Sequence, residues 1–166
     1  MIEQIFNNTL WQDRYQALIL PVPTSGVLRH RALLKSQALY PSHASRYRTA
    51  CQRGELALGG VLVHDVERDL AGVGVSPALS KPKFIVDVAV TEFAENAPHL
   101  SAIEQALATF APILYDWARY GGVRRVALLA NDALMLPANT TFDNTILPLL
   151  EKCLQPTRTL NLWVYR

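Results

Sequence analysis

Three short apolar runs, Gln16–Val22, Phe84–Val90 and Arg125–Ala130, most constrain how this chain can fold. A strand whose apolar residues do not alternate with polar ones is covered on both faces, as in the interior of a parallel or mixed sheet. Covering both faces takes helices, and the intervening stretches supply them. Leu100, Ile103, Leu107, Phe110, Leu114 and Trp117 recur at spacings of three and four, which predicts a long amphipathic helix ended by Gly121-Gly122. Residues 27–39 predict a second helix, with Leu28, Ala32, Leu33, Ala38 and Leu39 inward. A third starts at Pro41-Ser42, turns Tyr47, Ala50 and Cys51 inward and is capped at Gly54. A fourth covers residues 140–153, with Ile146, Leu147, Leu149 and Leu150 inward and Pro148 bending or restarting it. Shorter strand patterns lie at residues 2–6, 57–65 and 159–165, and Pro21 and Pro23 are expected to end the ladder of the second strand. Residues 66–82, punctuated by Gly72, Gly74, Pro77 and Pro82, read as a connection. The order β-β-α-α-β-β-α-β-α-β predicts an α/β fold: a three-layer α/β/α sandwich around a mixed, largely parallel six-stranded sheet.

At 166 residues the expectation is a single domain over residues 1–166, long enough for one good core. Half the residues are apolar and 18% are charged, which excludes general disorder. A net charge of +2 does not by itself argue for nucleic acid. Cys51 and Cys153 make neither a disulfide framework nor a metal set, and His30, His43, His64 and His99 stand far apart without ligand spacing. The expectation is therefore reduced thiols, no metal and no cofactor. No apolar run reaches the roughly 20 residues that span a membrane, and the N-terminus lacks a secretory charge pattern, so a cytoplasmic location is expected.

In a parallel sheet, ligands bind beyond the carboxyl ends of the strands. Those exits are Asn7-Asn8, Pro23-Thr24-Ser25-Gly26, Thr91-Glu92 and Asn131-Asp132-Ala133. The second exit leads through Val27 into Arg29-His30-Arg31 at the head of a helix, where free backbone N–H groups suit an anion. The triplet reads either as a solvated basic patch or as a phosphate clamp. Asn7 and Asn8 read as a plain Asx turn or as readers of a nucleobase edge. Asp132, with Asn131, either acts on a ligand or caps a helix beginning in the next few residues. Asp87, in the middle of a core-like strand, is a general base with a raised pKa or a structurally bonded carboxylate; Glu92 at the strand exit is the better-placed base. Cys51, Trp11 and Trp163 read as packing residues.

From Gly26 onward the sequence resembles a macro domain, the ADP-ribose-binding α/β/α module. It is most similar to the subgroup that removes ADP-ribose from DNA bases. The resemblance rests on Pro23-Thr24-Ser25-Gly26-Val27-Leu28-Arg29-His30-Arg31, then Tyr40-Pro41, then Ala50-Cys51-Gln52-Arg53-Gly54-Glu55-Leu56, against a family pattern of Asn-Thr-x-Gly-Val-Met-Gly-Lys-Gly, Tyr/Phe-Pro and Ala-Cys-x-x-Gly-Glu-Leu. Outside residues 16–62 the residue matches are faint. The resemblance implies an ADP-ribose-type nucleotide, or another anionic small molecule, held by Asn7, Asn8, Thr24, Ser25, Gly26, Val27, Arg29, His30, Arg31, Asn131 and Asp132. Several family marks are replaced. The loop asparagine is Pro23, two glycines are Arg29 and Arg31, no glycine lies between Ala130 and Leu136, and the lysine after the fourth strand falls near Thr91-Glu92. A loop that wraps a sugar-pyrophosphate with bare backbone needs residues without a Cβ in the way, so the arginines are expected to occupy the distal-ribose space. The resemblance thus implies a nucleotide binder with weak or absent catalysis. The alternatives are a degenerate pseudoenzyme that docks a protein or nucleic acid, and an ADP-ribosyl hydrolase on modified DNA or protein using Glu92, Asp87 or Asp132.

Overall fold

The computed structural model describes residues 1–66, 82–154 and 159–166; the connection at 66–82 lies almost wholly outside them. Six strands form one sheet: β1 (Ile2–Ile5), β2 (Ala17–Pro23), β3 (Val61–Asp65), β4 (Phe84–Thr91), β5 (Arg125–Leu129) and β6 (Asn161–Tyr165). Their order is β1-β6-β5-β2-β4-β3. Every neighbouring pair is parallel except β3–β4. The helices are α1 (Arg31–Leu39), α2 (Pro41–Gln52), α3 (Leu100–Arg119), the single turn α4 (Asp132–Met135) and α5 (Leu147–Leu154).

The sheet divides two apolar layers, as the unbroken strand runs require. On one face α3 and α5 bring Ile103, Leu107, Phe110, Leu114 and Leu150 against Ile19, Val86, Val88 and Leu128. On the other, Leu33 of α1 with Tyr47 and Ala50 of α2 packs against Leu18, Leu20, Ile85 and Ala89. Each fully buried Leu, Ile or Phe contributes roughly 1.5–3 kcal/mol relative to exposure, so Ile103, Leu107, Phe110 and Leu114 of α3 anchor its layer. At the ends of that helix the stripe fades: Leu100 is exposed, and Trp117 is half-buried and stacks on Phe84 with centroids 4.0 Å apart.

Several local expectations give way to tertiary geometry. The 57–65 strand shortens to β3, because Gly59 adopts φ +79° and residues 57–60 turn. The helix expected from residue 27 begins at Arg31, because Thr24 to His30 form the loop that joins β2 to it; Ala38 and Leu39, expected inward, are exposed. The 140–153 helix opens with a π-helical turn, Phe142–Ile146, that runs directly into α5, and Pro148 stands just after the junction, so the irregular turn coincides with the residue that lacks an N–H.

β2 departs most consequentially. Its pairing with β4 continues to Pro23, whereas pairing with β5 stops at Ile19. Pro21 and Pro23 are two residues apart, so their missing N–H groups fall on one and the same edge of the strand. The prolines end only one of the two ladders, and the carboxyl ends of β2 and β5 part company.

Candidate functional site

The separation of β2 from β5 is widened by connectivity. Beyond β2 the chain passes to α1 and α2 on one face; beyond β5 it passes through α4 to α5 on the other. Adjacent parallel strands whose connections leave on opposite faces open a crevice at their carboxyl ends. Two loops face each other there, and each ends in a side-chain helix cap. His30 caps α1, its Nδ1 accepting the Ala32 N–H at 3.2 Å, and Asn131 caps α4, its Oδ1 accepting the Ala133 N–H at 3.0 Å. Nδ1 therefore holds a lone pair, and a neutral His30 carries its proton on Nε2. Burial pushes the His30 pKa down from the ordinary histidine value, and a hydrogen bond to the Asn131 side chain works against that.

Two cavities meet at His30. One, a cleft of about 250 Å³, lies over the ends of β2 and β4 and is lined by Pro21, Pro23, Leu28, Arg29, Thr91, Asn96 and Leu134 among others. The second, about 240 Å³, lies over β1, β6 and β5 and is lined by Phe6, Asn7, Asn8, Trp11, Asn131, Tyr165 and Arg166 among others. His30 belongs to both linings.

The loop into α1 is fixed from beneath. Gly26 sits at φ +80°, and a Cβ there would meet the Cys51 Cβ at 3.2 Å, so glycine is required by conformation and by space. The Tyr47 hydroxyl donates to the Pro23 carbonyl at 2.5 Å, tying α2 to the same loop; burial raises the pKa of Tyr47 and of Cys51. The Thr24 and Ser25 N–H groups donate to the Thr91 and Glu92 carbonyls at 2.9 and 3.0 Å, and that of Val27 to Ser25 Oγ at 3.3 Å. By contrast, the N–H groups of Leu28, Arg29, His30 and Arg31 have no acceptor among the described residues. Consecutive free donors beside a cleft are a place for an anion.

The expected site residues therefore divide. Arg29 and His30 line the cleft, Asn7, Asn8 and Asn131 line the second cavity, and Arg31 faces a groove outside them. Thr24, Ser25, Gly26 and Val27 shape the loop but line neither cavity, and Val27 is 58% exposed. The arginines do not fill the cleft. Arg29 reaches across its rim to Glu95 at 2.8 Å, joining the loop before α1 to the segment after β4, and Arg31 is exposed.

None of the three proposed catalytic carboxylates lines either cavity. Glu92 is exposed and serves the loop through its main-chain carbonyl. Asp132 is exposed and pairs with Arg166 at 3.2 Å; it is the first residue of α4, and the cap is Asn131. Asp87 is fully buried under α2, where His43 Nε2 meets its Oδ2 at 2.7 Å, so it takes the structural alternative. His64 lies beside that pair, its ring centroid 5.4 Å from that of His43.

Phe6, Tyr165, Arg166 and Asn96 were not singled out from sequence. The first three come from opposite ends of the chain and meet only because β1 pairs with β6; Asn96 had no local signal. Tyr165 donates to Asp13 Oδ2 at 2.7 Å, and the Arg166 guanidinium lies 4.3 Å from the Phe142 ring centroid. Among the described residues no group of three or more His, Cys, Asp or Glu side chains is placed to hold a metal, and no helix is long and apolar enough to cross a membrane.

No protein-family model and no curated protein matches the chain. Solved structures do. The macrodomain of Thermus aquaticus DarG is 19% identical, with a TM-score of 0.78 over 100% of this chain and 98% of that one. The macrodomain of Mycobacterium tuberculosis DarG is 20% identical, with a TM-score of 0.76 over 99% and 97%. Thermosipho africanus DarTG in complex with ADP-ribose is 16% identical, with a TM-score of 0.71 over 95% of this chain and 39% of that one. The six-stranded, largely parallel mixed sheet with its flanking helices matches the macrodomain fold.

Proposed function

We propose that this chain binds ADP-ribose or a closely related nucleotide as a single domain, with catalysis weak or absent. The observation that carries the reading is the pair of cavities meeting at His30 over the parallel strand ends. The nucleobase enters the cavity at Asn7 and Asn8, the diphosphate passes His30 and the free N–H groups of Leu28–Arg31, and the distal sugar enters the cleft. The fold shared with a protein solved in complex with ADP-ribose supports this ligand class. The placement of the carboxylates supports weak or absent catalysis: Asp87 is buried on His43, Asp132 is paired with Arg166, and Glu92 lines neither cavity. An open cleft speaks against the pseudoenzyme with a closed pocket.

Titration calorimetry with ADP-ribose, NAD and AMP tests binding, and incubation with ADP-ribosylated DNA and protein tests turnover. The reading predicts heat of binding with ADP-ribose and no release of ADP-ribose. Silence across the ligand panel overturns the binding proposal; release in proportion to enzyme concentration overturns the catalytic part.

A further inference from the structure

Outside the two cavities, a shallow groove of about 510 Å³ runs between the β1–β2 connection and the outer face of α1. It shares Asn8, Trp11, His30 and Ala32 with the cavity at Asn7, so it adjoins the place proposed for the nucleoside. Its cationic side is formed by Arg31 and Lys35, four residues apart on one helix. Like charges at that spacing repel each other, and cations near a helix N-terminus oppose the dipole. Among the described residues no acidic side chain offsets this. Neither side chain has an ion-pair partner, and the first turn of α1 has no acid. Nearby carboxylates are engaged elsewhere, Asp13 by Thr9 and Tyr165 and Asp132 by Arg166. The Lys35 ammonium stands 5.9 Å from the centroid of the half-buried Trp11 ring. An unpaired guanidinium beside an ammonium that stands over an indole ring, in a groove adjoining the cavity at Asn7, makes a receptor for a further anionic group on the same ligand.

We propose that this groove is an extension subsite for a phosphate monoester on the nucleoside ribose, so that a phosphorylated form of the nucleotide binds in preference to the plain one. Arg31 offers two parallel N–H donors to phosphate oxygens, and Lys35 adds a point charge. The proposal rests on the nucleotide-binding reading above. Both cations are exposed, so each contact is worth little, and together they predict a preference of about tenfold at low ionic strength that shrinks as salt is added.

The test is calorimetry of the full chain at low salt with ADP-ribose and with ADP-ribose 2′-phosphate, repeated on Lys35→Gln and Arg31→Gln. The expected result is tighter binding of the phosphorylated ligand by wild type, with the ratio between ligands falling toward one in both variants. If both ligands bind wild type equally, this proposal is overturned while the nucleotide reading stands. If neither binds, both fall. An undiminished ratio in the variants places the phosphate elsewhere and also overturns the subsite. So does a single-stranded oligonucleotide whose binding depends on Lys35 while the two small ligands stay equal, since the groove is then a nucleic-acid surface.

Discussion

Replacing His43 with alanine strips the partner that accompanies Asp87 in the interior. Asp87 is 0% exposed and His43 4%, and the contact between them is 2.7 Å. A buried carboxylate left without its hydrogen-bonded partner typically costs about 3–5 kcal/mol. For a chain of this length that lowers the melting temperature by roughly 6–20 °C. Asp87→Asn keeps the shape and a weaker, neutral hydrogen bond, so its loss should be smaller, about 1–2 kcal/mol. The double variant should lose less than the sum of the singles, because the two side chains act on each other. Urea unfolding followed by circular dichroism reads all three. Ligand affinity of Asp87→Asn, measured where the variant remains folded, should match wild type, since the residue lines neither cavity. A His43→Ala loss below about 1 kcal/mol would refute the claim that this pair is a buried structural contact, and a folded Asp87→Asn variant with collapsed ligand binding would return Asp87 to the site.

Gly26→Ala should lose about 2 kcal/mol, from strained backbone at φ +80° and from the 3.2 Å approach to Cys51, and thermal melts check this. His30 has a folded pKa below the unfolded value of about 6.5. Its contribution to stability is therefore full above that value and is lost as pH falls through the folded pKa. His30→Asn, which keeps a capping side chain, should flatten that part of the acid-side decline, as read by melts between about pH 5 and 8. Glu95→Gln should release Arg29 from the rim and tighten binding of an anionic nucleotide, by no more than about fivefold because the pair is exposed; calorimetry showing weaker binding would mean that Glu95 itself contacts the ligand.

Strand runs and the α3 stripe were legible because each element's pattern is set by its own burial. Gln16–Val22 and Phe84–Val90 became central strands, and Ile103, Leu107, Phe110 and Leu114 became the inner face of α3. What pattern could not convey was which of two ladders the prolines end. Pro21 and Pro23 look like a strand terminus locally, but with β4 on one side and β5 on the other they stop only one pairing and open the crevice. The site was legible in part. The stretch from Pro23 to Arg31 announces a loop at a helix head, and it lies there. The direction taken by Arg29 depends on Glu95, and the fate of Asp87 on His43, partners far along the chain with no local signature. Tyr165 and Arg166 reach the cavity at Asn7 and Asn8 through the pairing of the last strand with β1 on one side and β5 on the other.

The central claim is that one ligand spans the two cavities across His30. A crystal structure of the chain soaked with ADP-ribose measures this directly. The account predicts the base beside Asn7 and Asn8, the diphosphate against the N–H groups of Leu28 to Arg31, and the distal sugar in the cleft lined by Pro23 and Thr91. Both cavities empty at saturating ADP-ribose, or the nucleotide bound on another face of the sheet, would contradict it.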